Sequence, residues 1–283
     1  MAQCDLHCPS AAVNITLIRL WLAENTACRL LYWLTNLASN GNSCNSVFQE
    51  IGVVIREQLQ ELYDRYASQN PNEHFVPCGV VNEEAYRASS PKLVCVLKEP
   101  NDPDQHRGWR IDTFLEKQIK KGSRGKPMYR MWKVVGIWSY AIHNGFPRYG
   151  DIDTVQISAQ GLNCIGMTNL KKSGGGGTSN YHDILEYAKK TVPLWKSELE
   201  IMGPDIILCC GTFRIATDLL GLQRRQTKAG LLYSVWKRDD GDSLLLQIYH
   251  PASRFRKDML YAFLKEALME CRPSAIMGHK WGH

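Results

Sequence analysis

Apolar residues recur along this chain with two different periods. From Ala11 to Ser39, and again from Ser46 to Ser68, they fall at helical spacing. Ile15, Ile18, Leu22, Leu30, Trp33, Leu34 and Leu37 mark the first stretch, and Val54, Leu59, Leu62, Tyr63 and Tyr66 the second. Asn40-Gly41-Asn42 between them is a turn signal. A helical hairpin is therefore expected, followed by the polar link 69–77. From Leu93 the pattern changes to short, continuous apolar runs that alternate with helical stretches. Strands are expected at 93–97, 162–168 and 204–211, and at 231–236 and 244–249, a pair joined around Asp239-Asp240-Gly241-Asp242. Helices are expected at 111–121, 129–143, 180–203, 212–220 and 255–271.

Buried strands alternating with helices predict an α/β fold: a three-layer α/β/α sandwich around a mostly parallel sheet. Two domains follow from the change of pattern, an N-terminal helical extension over 1–77 and the α/β domain over 78–283. Hydrophobic residues make up 44% of the 283, enough for a substantial core. The net charge of +6 permits a polyanionic partner without requiring one. Several of the ten cysteines sit inside apolar runs, as in Val94-Cys95-Val96, and read as small buried hydrophobes. Free thiols, no signal-like start and no run long enough to cross a bilayer give a cytoplasmic, membrane-free expectation. Cys4 and Cys8 flank His7, but no second pair stands nearby, so neither a metal nor a cofactor is expected.

Chemistry-bearing residues collect where these strands stop. Leu93–Leu97 runs into Lys98-Glu99-Pro100-Asn101. The strand 162–168 runs into Asn169, then Lys171, Lys172, Ser173 and four glycines, Gly174 to Gly177. The strand 244–249 runs into His250-Pro251-Ala252-Ser253, then Arg254, Phe255 and Arg256. Proline cannot donate to a ladder, so these are strand ends. In open α/β sheets, ligands gather at such ends. The glycine segment reads either as a hinge or as a backbone cradle for an anion. The basic loop Lys120–Lys126 reads either as a solvated turn or as a phosphate contact.

LKEPN, IGMTNLKK, PDIILCCG and HPASR, in this order at strand ends, resemble the motifs of the uracil-DNA glycosylase superfamily. The resemblance covers about Leu93 to Cys271. It departs from the family at Leu97 and Lys98, and in the extra Ala252 before Ser253. It implies a monofunctional DNA glycosylase that hydrolyses the N-glycosidic bond of an altered pyrimidine. Uracil is the default base, and a hypermodified cytosine, even a glucosylated one, is the second option, in repair or in anti-phage defence. Glu99 and His250 would be catalytic: the carboxylate would stabilise the sugar cation and orient water, and the imidazole would stabilise the leaving base. Asn169 would read the base edge, Trp109 would stack on the extruded base, and Pro100 and Asn101 would complete substrate binding. Thr168, Lys171 and Ser253 would contact DNA, and Arg254 or Phe255 would fill the gap in the stack. Two rival readings remain: a non-catalytic DNA-binding module of the same fold, and an enzyme acting on free nucleosides.

Overall fold

The computed structural model describes residues 54–271, apart from 103, 105–107 and 229. The expected helix 11–39, its following turn and the Cys4–Cys8 pair lie outside these residues. Seven strands form one sheet: β1 (Gly79–Val80), β2 (Leu93–Leu97), β3 (Ile165–Asn169), β4 (Ile206–Cys210), β5 (Arg225–Gln226), β6 (Leu232–Arg238) and β7 (Gly241–Ile248). Their order is β1-β3-β2-β4-β7-β6-β5. The inner strands β3, β2, β4 and β7 run parallel, and antiparallel pairs close both edges.

Alternation along the strands divides the core in two. Leu93, Cys95, Leu97, Leu208 and Leu246 face one layer. That layer holds α3 (Ile111–Ser123), α4 (Arg130–His143), α6 (Val155–Asn163) and α10 (Lys257–Cys271). Val94, Val96, Ile207, Cys209 and Leu245 face the other. It holds α1 (Val54–Gln69), α7 (Tyr181–Lys190), α8 (Val192–Met202) and α9 (Phe213–Leu219). The protein is thus an α/β fold with a mostly parallel, mixed sheet and helices on both faces. No described helix is long and apolar enough to cross a membrane.

Several expectations are corrected. Leu59 and Tyr63 of α1 are buried in the second core, so the described part of the helix expected over 46–68 packs against the sheet instead of standing apart from it. Leu162 belongs to α6 and not to a strand, because the Thr154 side chain caps a helix there by accepting from the Ile157 amide at 3.2 Å. The long helix expected over 180–203 is two helices. It breaks at Thr191, where Pro193 opens α8 in the position a proline tolerates. Three more short elements, β1, β5 and α2 (Glu83–Ala88), lie in stretches that carry no clear period. A single turn of helix, α5 (Tyr149–Ile152), precedes α6.

α4 and α6 cross at Gly136 and Gly161. A Cβ on Gly161 would lie 1.9 Å from the Gly136 carbonyl oxygen, so the two backbones touch. Gly161→Ala is expected to lower unfolding stability by about 1–3 kcal/mol through overpacking. Urea unfolding measures this, and an unchanged midpoint would contradict the close crossing.

Candidate active site

The site lies at the carboxyl ends of the parallel strands. The β2–β3 ladder continues past both strands, through Leu170 N–H to Leu97 O (3.0 Å) and Lys171 N–H to Lys98 O (2.9 Å). Beyond it, the glycine segment pairs with the loop after β2. Gly175 N–H donates to Pro100 O at 2.9 Å, and Asp102 N–H donates to Gly175 O at 3.1 Å. The Asp102 carboxylate meets His74 Nε2 at 2.9 Å, which pins the loop from its other side.

This pairing explains two of the four glycines. A Cβ on Gly174 would lie 2.3 Å from Asp102 O, and one on Gly175 would lie 2.3 Å from the Glu99 carboxyl carbon. Side chains there would push the loop and its carboxylate away. Gly176 and Gly177 meet nothing within 4 Å at the Cβ position, and both border the pocket. The segment is therefore a packed shoulder with an open edge, rather than a hinge.

The pocket has a volume of about 470 Å3. Glu99, Pro100, Asn101, Trp109, Asn169 and His250 all line it. Six residues singled out from three loops and a helix approach thus meet in one cavity. The Glu99 side chain is 5% exposed, and its Oε2 accepts from Lys171 Nζ at 2.8 Å. Lys171 therefore serves the carboxylate, where the sequence reading gave it to DNA.

Asn169 is fully buried at the end of β3. Its Nδ2 donates to Cys78 Sγ at 3.5 Å, while Oδ1 has no partner among the described residues. A buried acceptor left unpaired costs about 1–3 kcal/mol, so the described fold carries this cost and leaves the acceptor open to the pocket. Thr168 points to the opposite face, because neighbouring strand residues alternate. It is fully buried, donates to Glu198 Oε2 and accepts from Lys172 Nζ, both at 2.7 Å. A phosphate contact by Thr168 is thereby excluded.

His250 ends β7. Its Nδ1 accepts from the Ala252 N–H at 3.2 Å, so a neutral ring carries its proton on Nε2. Burial, and then the nearby Lys98 ammonium, lower its pKa to about 4. Imidazole, not imidazolium, therefore faces the pocket at neutral pH. The loop that follows is clamped by Arg130, whose Nη2 donates to the carbonyls of Ser253 (3.2 Å) and Phe255 (2.9 Å). The Ser253 hydroxyl is enclosed and has no hydrogen-bond partner among the described residues, so it is not presented to a phosphate outside. Arg254 and Phe255 are exposed, and Phe255 leans on Tyr249 with ring centroids 4.7 Å apart.

Sequence reasoning missed the aromatic wall. Phe114 sits 6.1 Å from Trp109, 5.9 Å from Tyr129 in a stacked arrangement, and 6.3 Å from Trp132. Tyr129 is 63% exposed and forms the lip. Phe114 and Trp132 fall on helical stripes that read as core, so only the fold separates wall from core. Lys98, within LKEPN, stood out only as a departure from the family and was given no role. Among the described residues, no group of three or more His, Cys, Asp or Glu side chains could hold a metal ion.

The neutral imidazole has a consequence for stability. The unfolded-state histidine titrates near 6.5 and the folded one near 4. The unfolded chain therefore binds the proton first, and stability falls as pH drops from about 6.5 towards 4. A His250 ring resonance that titrates near 4, with Nε2 protonated above that pH, is expected by NMR. A midpoint at the ordinary value would contradict the buried site. The chain matches no protein-family model and no curated protein.

Proposed function

We propose that this protein is a monofunctional DNA glycosylase with the α/β sandwich of the uracil-DNA glycosylase superfamily, acting on an altered pyrimidine. The observation that carries this reading is the meeting of Glu99, Asn169 and His250 in one aromatic-walled pocket at the strand ends. An extruded pyrimidine would stack against the wall and present its edge to the Asn169 amide, which holds an unpaired acceptor.

Each group then has a role in the hydrolysis. The bond from C1′ of the sugar to the base nitrogen breaks, and its electron pair leaves on the base. Positive charge builds on the sugar, close to the Glu99 carboxylate. Lys171 occupies Oε2, which leaves Oε1 to align a water and take its proton as the water oxygen bonds to C1′. The departing base carries negative charge, and a neutral His250 donates to it through Nε2–H. Donation by a neutral imidazole matches a weakly basic leaving group better than full proton transfer would. No step calls on a metal or an organic cofactor.

The partner is DNA. Arg254, Phe255 and Tyr249 form an exposed basic and aromatic lip beside His250, suited to occupying the gap left by an extruded nucleotide. Gly176 and Gly177 leave space along one border, which favours a pyrimidine bulkier than uracil, such as a hypermodified cytosine. Reduced buried thiols at Cys78, Cys95, Cys209 and Cys210 suit a cytoplasmic setting.

An abasic-site assay tests the reading. DNAs containing ordinary bases, uracil, 5-hydroxymethylcytosine or its glucosylated form are incubated with protein and then treated with alkali. Cleavage confined to one altered base is expected, with Glu99→Gln reducing the rate by at least about a hundredfold while binding persists. Binding without cleavage in either form would leave a non-catalytic DNA-binding module of the same fold. Release of a base from free nucleosides without any polymer would contradict DNA as the substrate.

A further inference from the structure

Lys98 has no role in the mechanism above, yet its position is unusual. β4 lies between β2 and β7 in the sheet, so the ends of β2 and β7 are separated by the end of β4. Gly211, with φ +74°, stands at that end. A Cβ there would lie 3.4 Å from Lys98 Cε and 3.9 Å from His250 Cβ. Both contacts are of ordinary van der Waals length, so the lysine stem and the histidine flank the end of β4, while the positive φ accounts for the glycine. Both residues border the same pocket.

The charges in the pocket are unbalanced. Among the described residues Glu99 is the one carboxylate lining it, and its ion pair is with Lys171. Lys98 has no ion-pair partner among the described residues, and its field opposes protonation of His250. A half-buried ammonium beside a neutral histidine, in a largely apolar cavity, is matched by an anion that arrives from outside.

We propose that Lys98 is the anion-binding residue of the pocket and that the anion is the deprotonated base as it leaves. The inference rests on the glycosylase reading for the identity of the anion. Lys98 supplies the charge, and His250 supplies the directed hydrogen bond. Keeping the ammonium on the lysine rather than on the histidine places positive charge near the base without offering it a strong acid.

Binding to the full-length chain tests this without turnover. Three probes are titrated by calorimetry: barbiturate, a pyrimidine that is anionic at neutral pH; uracil, which is neutral; and inorganic phosphate. The wild type is expected to bind barbiturate more tightly than uracil. Lys98→Met should weaken barbiturate about ten- to hundredfold, the scale of a lost charge-assisted contact, and leave uracil unchanged. Lys98→Arg, which keeps the charge, should retain most of the affinity and guards against a folding defect in the first variant. Equal barbiturate affinity in wild type and Lys98→Met would overturn the proposal, as would no barbiturate binding at all. Phosphate that competes with barbiturate in a Lys98-dependent way would assign the site to the DNA backbone and overturn the leaving-base assignment. Lys98-dependent barbiturate binding in a protein that makes no abasic sites would sink the glycosylase reading and leave the anion site standing.

Discussion

A buried ion pair beneath the sheet end fixes the turn on which the site depends. Lys172 is 1% exposed and Glu198 not at all, and their charged atoms are 2.5 Å apart. Thr168 donates to one Glu198 oxygen and accepts from Lys172, so the pair is enclosed in a three-membered network. Taking two charges out of water is expensive, and the attraction repays it only when the geometry is good and the remaining bonds are made. Removing either partner would strand a charge in the core. The turn after β3 is therefore held in one conformation. With Lys172 anchored inward, Lys171 next to it reaches the Glu99 carboxylate, and the glycines that follow are laid against the loop after β2.

That arrangement sorts polar groups by role. Thr168 and Lys172 face α8 and meet its Glu198 there. Asn169, one residue along, faces the cavity with an acceptor unspent. Glu99 has one oxygen bound by Lys171, and His250 has its Nδ1 lone pair engaged by the loop behind it. Each of these side chains is half satisfied by the protein and half presented to the pocket. For the proposed hydrolysis, preorganisation of this kind would remove the need to reorient dipoles, and it is worth most in a cavity with apolar walls.

The strand ends were legible in the sequence because proline and glycine interrupt apolar runs at Pro100, Gly174 and Pro251. The order of the strands was not, since it depends on contacts between residues far apart in the chain. α6 was hidden because its start rests on one capping hydroxyl at Thr154, and Leu162 within it looks like part of a strand. The break at Thr191 was carried by Pro193, which a reading of periodicity alone passes over. In the site, Glu99, Asn169 and His250 were found because polar residues at the ends of apolar strands stand out. Phe114 and Trp132 were not, because an apolar pocket wall and an apolar core have the same composition. Thr168 was misassigned because a strand buried on both faces shows no alternation by which to choose a side.

The central claim is that Glu99 faces a sugar carrying positive charge. The most direct measurement compares two duplexes that lack the base, one with a cationic pyrrolidine ring in place of the sugar and one with neutral tetrahydrofuran. Neither requires the identity of the excised base. The account predicts that the cationic duplex binds at least about tenfold more tightly, as mimics of a transition state do, and that Glu99→Gln abolishes the difference. Equal affinity for the two duplexes in the wild type would contradict it.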